Sequence, residues 1–146
     1  VGNEGVAHLA GLRQLRQLRL SALDIDSAAL VHLRELSQLE VLYLDRTDVG
    51  DANFASIGGL TELRVLDLWS TEAGSDAIAA LADLKALEQL QLEGTKVDAR
   101  ALTTLAGFTE LRWLGLSANG ATISASRSVT SPTKSPRGAS GATTAA

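Results

Sequence analysis

The chain has 146 residues, 45% of them apolar, with a formal net charge of −4; this is enough for one domain with a core and too apolar for wholesale disorder. It contains no cysteine, so neither a disulfide framework nor a thiolate metal site can form, and the chemistry leans toward a reducing, intracellular setting. No run reaches the ~18 to 20 apolar residues of a membrane span, and an acidic body argues against a nucleic-acid scaffold, which needs a positive surface.

Val1, Val6, Leu9 and Leu12 open the chain and complete the convex half of a unit. From Leu15 a pattern sets in. The hexapeptide L-x-x-L-x-L begins at Leu15, Leu39, Leu63, Leu87 and Leu111, 24 residues apart without insertion. Within each hexapeptide the alternating leucines suit a strand with one inward face, which predicts strands near 17–20, 41–44, 65–68, 89–92 and 113–116. Position nine of the unit reads Leu23, Thr47, Thr71, Thr95 and Asn119, and position eleven Ile25, Val49, Ala73, Val97 and Ala121. Apolar residues then recur at positions sixteen, nineteen and twenty-two, as in Leu30, Leu33 and Leu36 or Ile78, Leu81 and Leu84. That spacing of three predicts a short helical segment with one buried stripe. Asn3, Asp26 or Ser27, Asp51, Ser75 and Asp98 precede these segments and are expected to cap them. The threonine hydroxyls are expected to satisfy backbone groups where the chain bends after each strand; Leu23 interrupts that series.

Neither strand nor helical stripe can bury its apolar side alone, so neighbouring units must stack. The five hexapeptides in constant register resemble the leucine-rich repeat family over residues 1 to about 121, and the closest subtype is the 24-residue form with Thr at position nine. The Ile-Pro segment of plant receptor repeats, the cysteine of ubiquitin-ligase substrate adaptors and the cysteine-rich caps of extracellular members are all missing. The resemblance implies an α/β fold: a right-handed solenoid with a concave parallel sheet of about five strands and short convex helices. It also implies a binding scaffold that works through the concave face.

Both ends depart from the pattern. The chain begins at position eleven of a unit, so the strand that should pair on that side is missing. We expect either a stretch of a longer array or a short protein that has lost an initiator methionine. Residues 122–146 carry Arg127, Lys134 and Arg137 and no acid, and they are rich in Ser and Thr, with Ser126 where a core residue is needed. Such a tail is expected to be disordered. Its Ser131-Pro132 and Ser135-Pro136 pairs resemble targets of proline-directed kinases, though a plain linker has the same composition.

Positions three, five, seven and eight should face outward from the sheet. Three of the five aromatics fall there: Tyr43, Trp69 and Trp113. Arg19, Asp45, Arg46 and Asp67 surround the first two, which predicts a mixed aromatic and charged contact patch; the plainer alternative is ordinary filling of an open sheet face. Trp113 could instead cover the C-terminal edge. Position two alternates Arg16, Glu40, Arg64, Glu88 and Arg112 and reads as a ladder of attracting charges. His8 and His32 share position eighteen, but the next units supply Ser56 and Ala80 there, too few ligands for a zinc site. No nucleophile elbow or phosphate loop occurs, and two acids on an open face lack the desolvation that tunes catalytic carboxylates. The expectation is therefore a non-enzymatic protein-binding scaffold, with no cofactor and no metal. The alternative is a non-catalytic substrate-recognition part of a larger enzyme assembly or effector, of the ubiquitin-ligase adaptor type.

Overall fold

The period-two leucines do form strands, and each passes to the next through a convex crossover. The computed structural model describes residues 1–116. Strands β1 (Gln17–Arg19), β2 (Val41–Tyr43), β3 (Val65–Asp67), β4 (Gln89–Gln91) and β5 (Trp113–Gly115) pair in sequence order in one parallel sheet. The register is the sequence period itself: Leu18 stands beside Leu42, Leu42 beside Leu66, Leu66 beside Leu90, and Leu90 beside Leu114. Each strand is a residue shorter than the leucine spacing predicts.

The convex side mixes two helix types. Asn3–Ala7 (α1), Ser75–Ala80 (α2) and Leu102–Ala106 (α3) are α-helical. Ser27–Leu33, Phe54–Ser56 and Ala99–Ala101 are 3-10 helices. These segments are short, and the 3-10 form covers more length per residue than the α form. Between sheet and helices the leucines of positions four, six and twenty-two form one continuous core. In the central coils it is sealed: Leu42, Leu66 and Leu90 are fully buried. The first coil is looser, with Leu12 51% exposed and Leu9, Leu15, Leu18 and Leu23 only partly covered. Among the described residues no helix is long and apolar enough to cross a membrane.

After each of the first four strands the chain turns through one left-handed residue at position eight: Ala22, Arg46, Ser70 and Gly94, with φ of 56°, 57°, 55° and 72°. Only glycine adopts this region without steric cost; the other three are held there by the turn and by the amide bonds that Ala22, Arg46 and Ser70 donate to carbonyls of the next coil. The position-nine threonines close the bend as expected. Thr47, Thr71 and Thr95 donate their hydroxyls to the carbonyls of Leu44, Leu68 and Leu92 at 2.6 to 2.8 Å.

The polar residues read as helix caps do something further. At position thirteen each one accepts an amide hydrogen from position twelve of the following coil: Asn3 from Asp26, Ser27 from Gly50, Asp51 from Gly74, and Ser75 from Asp98. Asp51 also accepts from the amide of Ala77, 3.1 Å away in α2, so it caps the helix of its neighbour. Only Asp26 and Asp98 cap their own segments, accepting from Ala28 and Arg100. The position-two charges pair across coils as Arg16 with Glu40 and Arg64 with Glu88. The expected tail, together with Ser117, Asn119 and Ala121, lies outside the described residues.

Candidate interaction surface

The concave face is built from the outward residues of β1–β5 and the turn that follows each strand. The strands bring Arg19, Tyr43 and Asp67 into one cross-sheet row, since Arg19 pairs in register with Tyr43 and Tyr43 with Asp67. The Arg19 guanidinium lies over the Tyr43 ring, 3.9 Å from its centroid. One row along, Arg46 stands 5.8 Å from the centroid of Trp69. Both arginines are exposed, whereas Tyr43 and Trp69 are half-buried. Each cation thus leans toward an aromatic of the next coil, an arrangement that the negative face of the ring favours.

The acids behave otherwise. Outward positions predicted exposed carboxylates, but Asp45 and Asp67 are both 0% exposed. The Asp67 carboxylate is short and sits in register between Tyr43 and Gln91, two longer side chains. Its Oδ1 accepts the amide hydrogen of Trp69 at 2.9 Å. Asp45 accepts the hydroxyl of Ser21 at 2.5 Å, and its other oxygen lies 3.4 Å from Nε of Arg46. Burial pushes the Asp67 carboxyl up to about 6, against the opposing pull of the Trp69 amide and of Arg19 and Arg46. The acids therefore form a layer beneath the arginines rather than part of the presented surface.

Gln91 repeats the Asp67 device one coil on, accepting the amide of Glu93 at 3.0 Å. A polar residue at position five, accepting the amide two residues ahead of itself before a left-handed turn, is a pattern of side-chain turns. It was open to sequence reading and was missed. Trp113 does not join the patch. It is 3% exposed, it pairs with Gln89 two coils beyond the row of Trp69, and its ring lies where a Cβ on Gly115 would come within 2.6 Å. Six of the seven expected site residues, Arg19, Tyr43, Asp45, Arg46, Asp67 and Trp69, thus gather in one region, and Trp113 stands apart.

Beside the sheet, at the edge where the chain enters the strands, a hollow of about 320 Å³ is lined by Glu40, Glu62, Glu88 and Glu110 with Arg64 and Ala86. Among the described residues no group of three or more His, Asp or Glu side chains converges as metal ligands would. On the convex side His8 is exposed and His32 half-buried.

No protein-family model matches the chain, and no curated protein matches it. Solved structures do. Internalin C2 from Listeria monocytogenes aligns over 82% of the chain with a TM-score of 0.69 and 28% identity. The leucine-rich-repeat ectodomain of the receptor kinase SOBIR1 from Arabidopsis thaliana aligns over 77%, with a TM-score of 0.61 and 25% identity. A TDR receptor shares the fold at 19% identity, with a TM-score of 0.51 over 80% of this chain and 24% of its own. The chain spans 50% of the internalin structure and 61% of the ectodomain. Parallel strands in 24-residue register, convex crossovers and these neighbours together make the fold a leucine-rich-repeat solenoid.

Proposed function

We propose that this solenoid is a protein-binding scaffold that uses its concave face, with the contact centre at Tyr43 and Trp69. The repeat is read as the 24-residue subtype with Thr at position nine, and the scaffold as non-catalytic. The observation that carries the proposal is the stacking of exposed Arg19 and Arg46 on those two rings. Arginine and large aromatics supply much contact area with few free rotors, and they dominate binding energy at protein interfaces. Here they are already held by the sheet, so little ordering cost remains at the moment of binding. The resemblance of the fold to receptor and internalin structures supports the same reading.

The test is affinity capture followed by titration of the recovered protein. Tyr43→Ala combined with Trp69→Ala is expected to weaken binding by about 2 kcal/mol or more, the usual hot-spot scale. Arg34→Ala, an exposed convex change, should leave affinity unchanged. Because Tyr43 and Trp69 are half-buried, thermal unfolding of the double variant must accompany the titration. If the convex change abolishes binding while the folded double variant binds normally, the concave assignment is wrong.

A further inference from the structure

We propose that the concave patch receives an acidic side chain of its protein partner, a carboxylate set at the edges of Arg19 and Arg46 with apolar flanks on Tyr43 and Trp69. The inference rests on the concave-face reading and names the chemistry of what binds there. Its basis is the way burial sorts the charges. Arg19, Asp45, Arg46 and Asp67 cancel in sum, yet the two acids are 0% exposed and the two arginines are exposed. At Tyr43 and Trp69 a partner therefore meets the two cations, with Glu93 half-buried one coil beyond, on a chain whose net charge is negative.

The arginines also converge. Arg19 lies over Tyr43, the register neighbour of Asp67, and Arg46 lies over Trp69, two residues along from Asp67, so the two guanidinium groups flank the same stretch of the face. A guanidinium lying over a ring has its flat face occupied and its N–H edge left for a planar acceptor, the geometry that suits a carboxylate. The Arg46 Nε is turned to Asp45, which helps fix that side chain before binding.

A polyanion is the poorer occupant. Two cations neutralise few phosphates, and the glutamate-lined hollow at the strand-entry edge, with Glu40, Glu62, Glu88 and Glu110, would repel a backbone running along the solenoid. One carboxylate between apolar groups needs only the local patch.

The probe is a phage-displayed library of random peptides, selected on the whole chain at physiological salt. Binding peptides should be enriched in Asp or Glu beside an apolar residue. Replacing that acid by its amide should weaken binding about tenfold, the scale of a lost charge-assisted contact. Arg19→Gln with Arg46→Gln should weaken the acidic peptide equally and should no longer distinguish acid from amide. Arg19→Lys with Arg46→Lys, which keeps the charge and loses the planar fork, should give an intermediate loss and guards against a variant that merely unfolds. Peptides that need Tyr43 and Trp69 but tolerate loss of their acids overturn this inference and leave the concave-face reading standing. Peptides indifferent to Tyr43 and Trp69 overturn both. A single-stranded oligonucleotide that binds through the two arginines at the same salt, or a library that yields no binder, also overturns the inference.

Discussion

Asp67 shows at the scale of one residue how the concave face is made. A carboxylate fully covered by its neighbours accepts the Trp69 amide but gives up hydration, and the result is a carboxyl pushed up to about 6. The consequence for stability has a definite sign. In the unfolded chain the group titrates near its ordinary value of 3.8. Between that value and about 6 the folded state therefore holds more protons, so stability falls as pH rises through this window, and the cost is complete above it. Asp67→Asn keeps an oxygen for the Trp69 amide and removes the charge. The variant is expected to gain on the wild type by about 2 kcal/mol between pH 4 and pH 7, the order implied by a shift of this size. Urea unfolding of both proteins at each pH checks it, since all other titrations cancel in the difference; a constant gap would show that Asp67 is not desolvated.

At the scale of the element, the convex segments depend on their neighbours. The longest single helix among the described residues has seven residues, far short of what is stable alone in water. Asp26 and Asp98 start their own segments, and in α2 the cap comes from Asp51 of the preceding coil, bonded to Gly74 and Ala77. Asp51→Ala should cost about 0.5 to 2 kcal/mol, as loss of a helix cap does. Amide exchange would show the loss at Gly74 and Ala77, not in the segment that carries Asp51. The sequence marked every one of these polar residues as a cap but assigned each to its own coil. Capping preferences are local rules, whereas position thirteen of one coil abuts position twelve of the next only once the coils are stacked. The strands were legible for the opposite reason: leucines at a constant period of 24 fix strand, register and inward face together, because a slip of one residue would turn the leucines outward. Asp45 and Asp67 were misread as exposed because alternation says which side of the sheet a residue faces, not how tall its neighbours are.

At the scale of the whole molecule, the solenoid is close to a one-dimensional stack, so a side chain counts for as much as the neighbours on both sides provide. Leu18 and Leu66 occupy the same position of their repeats, but Leu66 is fully buried between two coils and Leu18 only partly covered. Leu66→Ala should destabilise by about 2 to 5 kcal/mol, the range for a buried leucine. Leu18→Ala should cost clearly less, and equal losses in denaturant melts would contradict the stack. The same rigid stack is what presents Arg19, Tyr43, Arg46 and Trp69 as one surface while the helices face away. Hydroxyl-radical footprinting of the free and partner-bound chain tests this presentation most directly. The account predicts that binding shields Tyr43 and Trp69 and leaves His8 and His32, on the convex side, as reactive as before. Shielding of the two histidines with Tyr43 and Trp69 unchanged would contradict it.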